Sequence, residues 1–167
     1  MIVQTPGVYI SEINQLASTI AKTSTAIPVF IGFTELPQVG ALKIDGMMAF
    51  EQFFGKGYAT TFRIVANQAA IPDRRYFLYD SIRLYFQNGG GPCYILSAGT
   101  YSSAPIVNSG IVKAALQSQL SELQHLDEVT LVAVPDAHFQ FDDGTSSTVQ
   151  TLLPADYSAV MNNALTT

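Results

Sequence analysis

The chain has 167 residues, of which 48% are hydrophobic and only 13% are charged, and its formal charge at pH 7 is −5; this length suffices for one domain with its own core. The acidic balance and the scattered basic residues exclude the clustered cationic surface that nucleic-acid binding requires, and the single cysteine, Cys93, excludes an internal disulfide and a cysteine-based zinc site. The N-terminal sequence lacks the pattern of a signal peptide, and no apolar run reaches the roughly 18 residues of a membrane-spanning helix, so we expect no direct membrane insertion.

Residues 1–25 are predicted to form an extended arm. Apolar residues at Val8, Ile10 and Ile13 recur with the alternation that is typical of a strand. Pro6 restricts such a strand to a sheet edge or a strand start, and no nearby hairpin turn supplies a second strand. The arm is therefore expected to pair with a strand from elsewhere.

The predicted core begins with a strand at residues 26–33, whose unbroken apolar run is typical of a strand buried on both faces. A short helix is predicted at residues 47–54, with Asp45 as its N-cap and Gly55 as its end. These elements start the globular part of the chain.

A longer helix is predicted over residues 74–88, mostly buried, with Leu78 and Ile82 on its apolar face. The glycine-rich sequence at 88–92 ends it, because glycine adopts the left-handed conformation at little cost and proline cannot continue a helix. A strand is predicted to follow at residues 93–96.

The remaining pattern predicts a helix capped by Ser109 and extending to Leu126, a buried strand at 129–134, a polar loop at 136–148 and a last helix at 154–165. Strand, helix and strand of these lengths form a βαβ unit, which requires parallel strands. We therefore predict an α/β fold with a partly parallel sheet, flanking helices and a preceding arm.

The surface is predicted to be short of charge, since 13% charged residues compares with about 25% in ordinary soluble domains. Exposed apolar patches usually mark surfaces that a partner covers. This favours a subunit of an assembly, although a neutral surface rich in serine, threonine, glutamine and asparagine would also explain the composition.

One polar cluster could carry chemistry. Asp136, His138, Asp142 and Asp143 follow the predicted strand at 129–134, and α/β folds bind ligands at the carboxyl ends of such strands. Imidazole and carboxylates could hold a divalent metal ion or act in acid–base catalysis. Their spacing matches no diagnostic ligand pattern and Asp–Gly sequences commonly form turns. We therefore predict no catalytic, cofactor-binding or metal-binding residue, and keep a metal-dependent or acid–base enzyme with a site at this cluster as an alternative.

Three other features are predicted to be structural. Cys93 lies in an apolar strand without a nearby histidine, which favours a buried thiol over a nucleophile. The sequence FGKG at 54–57 follows a helix instead of a strand, and the glycines at 89–91 precede a strand, so neither fits a phosphate-binding turn. No enzyme activity is predicted from them.

Five segments in order resemble contractile tail sheath proteins of myophage tails and phage-tail-like injection systems. They are TPGVYISEI at 5–13, TAIPVFIGFT at 25–34, FEQFFG at 50–55, SIRLYFQNGGGPCYI at 81–95 and LDEVTLVAVPD at 126–136. Together they span nearly the whole chain, and their combination in order is more specific than any single segment.

The resemblance implies a structural subunit of a sheath without cofactors. Sheath subunits stack as hexameric rings around an inner tube, between baseplate and terminator proteins, and contraction drives the tube through a target envelope. Residues 1–25 would be the inter-subunit arm and 26–167 the N-terminal part of the α/β core domain. The arm residues that match the family are Thr5, Pro6, Gly7, Val8, Tyr9, Ile10 and Ile13.

The resemblance further implies a location in a virion tail or a phage-tail-like particle that is assembled in the bacterial cytoplasm, with release outside the cell in extracellular systems. Family members are at least twice as long, so we expect this chain to be an N-terminal portion of a longer sheath. A binding module whose arm captures a different partner is a further alternative.

Overall fold

The computed structural model describes the following residues: 27–64, 70–101, 109–138, 140–141, 150–151, Ser158 and Asn162. The predicted arm at 1–25 lies outside them. In chain order the elements are β1 (Ile27–Thr34), β2 (Ala41–Ile44), α1 (Met47–Phe54), β3 (Phe62–Arg63), β4 (Ile71–Pro72), β5 (Arg74–Arg75), α2 (Leu78–Gln87), β6 (Cys93–Thr100), α3 (Ser109–Leu120), β7 (Val129–Ala133), β8 (Gln140–Phe141) and β9 (Gln150–Thr151). Two 3-10 turns occur at Ser121–His125 and Pro135–His138.

The central sheet has four strands in the order β2–β6–β1–β7. β1 pairs in parallel with both β6 and β7, and β2 pairs antiparallel with β6. This arrangement confirms the predicted α/β fold with a partly parallel sheet. The predicted unit β6–α3–β7 is present, but β1 lies between its two strands, which therefore pair with β1 and not with each other.

The apolar run of β1 places it at the centre, and seven of its eight residues are buried. Alternate side chains reach opposite faces of the strand: Val29 and Ile31 join Leu116 of α3 in one apolar cluster, whereas Phe30 joins α1 and α2 in the other. The sheet is thus covered by α3 on one face and by α1 and α2 on the other.

Helix α1 spans the predicted residues, and its end at Gly55 is confirmed by a left-handed φ of 81° and by an N–H bond to the Glu51 carbonyl. The predicted cap is wrong: Gly46 occupies the N-cap position, and no side chain caps the helix there. Asp45 is the single residue between β2 and Gly46, so it lies one position too early to act as the cap.

Helix α2 begins at Leu78 and not at residue 74, because the backbone of Arg74–Arg75 pairs with Gln140–Phe141 as a short antiparallel ladder. It is also less buried than predicted: of its residues only Leu78 and Ile82 are buried, and Leu84 is 62% exposed. The periodicity identified the apolar face, and the partly buried Tyr85 and Phe86 pack against the apolar cluster that contains Leu78 and Ile82.

Strand β7 is an edge strand and not the buried strand that its apolar sequence predicted. Its pairing partner is β1, and among the described residues no strand pairs with its other side. Leu131 is consequently 59% exposed. The valine and leucine content of β7 therefore does not by itself distinguish a central strand from an edge strand.

The last predicted segments differ in detail. Helix α3 ends at Leu120 and continues as a 3-10 turn to His125, within the predicted span. The predicted polar loop after β7 contains the 3-10 turn Pro135–His138 and the strand β8. Of the predicted last helix, Ser158 and Asn162 are described and both are helical.

Candidate functional site

Asp136 occupies a fully buried position just beyond the carboxyl end of β7. Its Oδ2 accepts a hydrogen bond from the Phe33 N–H at 2.6 Å. Its Oδ1 accepts from the N–H groups of Phe77 at 2.5 Å and Leu78 at 3.2 Å. One carboxylate therefore joins the end of β1, the start of α2 and the turn after β7.

This carboxylate is a long-range cap for α2. The first N–H groups of a helix have no partner within the helix, and the N-cap residue Phe77 makes no side-chain cap bond. The space beside the carboxylate is tight as well, because a Cβ on Gly32 would lie 2.5 Å from the Asp136 Oδ2 and 2.8 Å from the Leu78 Cβ. Glycine at position 32 thus allows the carboxylate to approach β1.

Of the polar cluster that the sequence offers as an alternative site, the structure describes Asp136 and His138. Asp136 is buried with both oxygens engaged by backbone donors, whereas His138 is exposed at the end of the same 3-10 turn. Asp142 and Asp143 lie outside the described residues. Within the described part of the chain, no group of three metal-binding side chains occurs. In the structure the Asp136 carboxylate accepts hydrogen bonds from three backbone N–H groups, which is a structural role.

Burial raises the pKa of the Asp136 carboxyl from 3.8 to about 6, although its three N–H donors act in the opposite direction. Between about pH 4 and pH 6 the folded protein therefore holds a proton that the unfolded chain has lost. This contribution to stability is complete below about pH 4 and is lost as the pH rises through about 6.

We expect the free energy of unfolding to fall between about pH 4 and pH 7 by roughly 2–3 kcal/mol more in the wild-type protein than in Asp136→Asn, whose amide does not titrate. Urea unfolding of both proteins across this range measures the difference. A difference in the free energy of unfolding that stays constant with pH would contradict the raised pKa of Asp136.

Cys93 is fully buried, as predicted, and burial raises the pKa of its thiol to about 12 from an ordinary value of 9.0. At neutral pH its thiolate population is then roughly a thousandfold smaller than that of an ordinary thiol. We expect iodoacetamide to modify native protein at least about a hundredfold more slowly than urea-unfolded protein. Equal rates would place the thiol in solvent.

Neither glycine-rich sequence, at 54–57 or at 89–91, joins a strand to a following helix in the structure. Gly89, with φ of 82°, terminates α2. Lys56 and Gly57 follow α1 and instead line a half-open cavity of about 310 Å³ near the start of α2. Sequence reasoning missed this cavity, because its walls come from segments that only the tertiary fold brings together.

Aromatic side chains form the walls of the cavity. Tyr58 and Tyr76 pack edge to face with ring centroids 5.3 Å apart, and Tyr79 lies on the α2 side. The Tyr58 hydroxyl donates to Asp73 at 2.8 Å and the Tyr79 hydroxyl donates to Glu51 at 2.6 Å. The hydrogen bond to Glu51 and partial burial raise the pKa of Tyr79, so its hydroxyl is neutral at physiological pH. The charges at the cavity come from Lys56, Arg75 and Asp80.

Large apolar side chains are exposed on several faces of the described residues, as the low charge content predicted. Val39 is fully exposed, Met48 is 86% exposed and Ile64 is 82% exposed. Leu36 and Phe53 are also exposed, and the backbone of Leu36 bonds to the end of α1, which brings part of this surface together. Surfaces of this kind usually contact other proteins. The described helices include none that is long and apolar enough to cross a membrane.

No protein-family model matches this chain, and no curated protein matches it. Among solved structures, it is similar to a chain in the "Cryo-EM structure of the anti-feeding prophage (AFP) baseplate in contracted state", with 27% sequence identity and a TM-score of 0.48. The match covers 81% of this chain and 31% of that chain, so this chain spans less than a third of that length. At this TM-score the likeness by itself assigns no function.

Proposed function

We propose that this chain is part of a structural, non-catalytic subunit of a contractile phage-tail-like particle, and more specifically of the sheath that surrounds the inner tube. The observation that carries the proposal is the ordered resemblance of five sequence segments to sheath proteins. A single short match of this kind would mean little. Five matches in the same order along one chain are far more specific.

Four of the five segments coincide with the framework of the central sheet. Residues 25–34 include β1, residues 50–55 end α1, residues 81–95 run from α2 into β6, and residues 126–136 contain β7 and end at the buried carboxylate. The resemblance therefore lies in the elements that define the fold and is not confined to a surface loop. The fifth segment, at 5–13, lies outside the described residues.

The exposed apolar side chains support a role in assembly. A sheath subunit contacts neighbours within its ring, neighbours in adjacent rings and the inner tube, so several of its faces are covered in the particle. The partners that we propose are copies of the same subunit, the tube protein, and the baseplate and terminator proteins that close the two ends. Contraction would use the free-energy difference between two packings of the same subunits, which requires no nucleotide or metal ion on the chain.

Negative-stain electron microscopy of the full-length product of this gene, purified from its natural source, tests the proposal. We expect striated tubes of two lengths, a long extended form and a short contracted form of larger diameter. Particles without tubes, or isolated monomers at every protein concentration, would contradict it.

A further inference from the structure

The cavity beside Lys56 lies at the carboxyl end of the parallel strands. The Lys56 backbone N–H donates to Glu35, which directly follows β1, at 2.6 Å. On the other wall, the Tyr76 ring packs against the Phe33 ring with centroids 5.4 Å apart. The cavity is thus fixed to the end of the central strand and to the segment that precedes α2.

Two cations at this cavity have no carboxylate partner among the described residues. The Lys56 side chain and the Arg75 guanidinium both line the cavity and are exposed, and neither is within 4.0 Å of a described carboxylate. Arg75 instead lies over the Phe77 ring at 5.0 Å. The carboxylate of Asp80, which also lines the cavity, already pairs with Arg83 at 3.0 Å. Within the described part of the chain, the cavity therefore offers two cations that have no carboxylate partner, beside tyrosine side chains.

The opposite end of the sheet carries two carboxylates that pair with no cation among the described residues. Glu122 and Asp127 are exposed and lie in the connection that leads into β7, whose first residue Val129 is in register with Ile27 at the start of β1. Glu128 pairs with Lys43 at 2.6 Å, but the described residues place no cation within 4.0 Å of Glu122 or Asp127. We call Glu122 and Asp127 the acidic turn.

The cavity and the acidic turn are separated by the length of β1, whose eight residues span roughly 25 Å. Two surfaces of opposite charge at opposite ends of a molecule cannot contact each other within one copy. They can do so between copies arranged head to tail, which is a heterologous contact that builds an open filament or a ring.

We propose that the cavity between Lys56 and Arg75 binds the acidic turn of a second copy of this chain, with a carboxylate of Glu122 or Asp127 entering between the two cations. A guanidinium and an ammonium that line the same cavity suit a carboxylate, because charge-assisted hydrogen bonds to carboxylates are the stronger class. The contact rests on the proposed function only in that both require self-assembly, and it does not require the assembly to contract.

A charge-exchange experiment with the full-length protein tests this contact. Variant A carries Lys56→Glu and Arg75→Glu, and variant B carries Glu122→Lys and Asp127→Lys. Lys113→Glu, on α3, is the control for a single charge reversal outside the cavity and the acidic turn, and circular dichroism checks that every variant is folded. Sedimentation velocity at low ionic strength gives the protein concentration at which half of the material is assembled.

We expect this concentration to rise at least about tenfold for A alone and for B alone, because each places like charges in contact. An equimolar mixture of A and B should assemble at nearly the wild-type concentration, since the acidic cavity of A then meets the basic turn of B and the basic cavity of B meets the acidic turn of A. The control should assemble like wild type, and added salt of about 0.5 M should weaken wild-type assembly.

The contact is wrong if A or B assembles like wild type, if their mixture assembles no better than either alone, or if wild-type protein shows no assembly at any concentration. Sheath function is judged separately. If variants A and B still form tubes of two lengths, the sheath proposal stands and this contact is wrong. If A and B assemble only when mixed but no tubes form from any of the proteins, the contact stands and the sheath proposal is wrong.

Discussion

Replacing Asp136 with alanine is expected to destabilise the folded protein by about 3 kcal/mol at pH 7. The substitution removes the acceptor of three backbone N–H groups, which donate from Phe33, Phe77 and Leu78. Each buried donor left without a partner costs roughly 1–3 kcal/mol, and relief from burying a carboxylate offsets part of the total. Urea unfolding monitored by far-UV circular dichroism measures the loss.

Asp136→Asn is the matched control, because it keeps the shape of the side chain and one of its two acceptor oxygens. Its amide nitrogen must face at least one N–H donor, so we expect a smaller loss of about 1–2 kcal/mol. We expect stability to increase from Asp136→Ala to Asp136→Asn to the wild-type protein, because the carboxylate acts as a cap. A catalytic carboxylate at a solvent-accessible site would behave differently: both variants would be as stable as the wild-type protein.

Deleting residues 1–11 is expected to abolish assembly into tubes while leaving the globular part folded. The deletion removes the segment at 5–13 that resembles the sheath arm, and with it the main-chain hydrogen bonds that a strand added to a neighbouring sheet would form. The unfolding midpoint in urea should shift by little, since a strand that is added to a neighbouring sheet forms its hydrogen bonds with the neighbour. Electron microscopy and the urea transition, measured on the same full-length preparation, give both results.

A pair of proline variants separates strand pairing from a general need for the arm. Ile10→Pro interrupts the alternating apolar run and removes one backbone donor from the proposed strand, whereas Ala17→Pro lies after that run in the same arm. We expect tubes from the second variant and none from the first. Normal tubes from the deletion variant would show that the polymer is held together without the arm.

Much of the local structure could be predicted from the residues themselves. The unbroken apolar run of β1 predicts a central buried strand, which the structure confirms. Gly55 and Gly89 mark the ends of α1 and α2, because both adopt left-handed backbone angles there. The buried state of Cys93 followed from the apolar strand around it. Each of these features depends on neighbours within a few positions along the chain.

The candidate site was less predictable. Asp136 is a candidate in the sequence because it follows a strand in an α/β pattern. Its hydrogen-bond partners cannot be read from the sequence, because Phe33 lies 103 positions away and the other two lie 58 and 59 positions away. A carboxylate in a turn looks the same in sequence whether it faces solvent, a metal ion or a row of backbone donors. The cavity with Lys56 and Arg75 could not be predicted either, because its walls come from segments that are distant along the chain.

The sequence by itself determined the α/β class, the extent of β1 and α1 and the likeness to sheath proteins, since all three depend on local periodicity and on the order of short segments. Tertiary structure decided that β7 lies at the edge of the sheet, that α2 begins at Leu78, and that Asp136 caps this helix from the far side of the fold. These outcomes depend on which strand lies beside which, and strand order is settled by packing among segments that are distant along the chain.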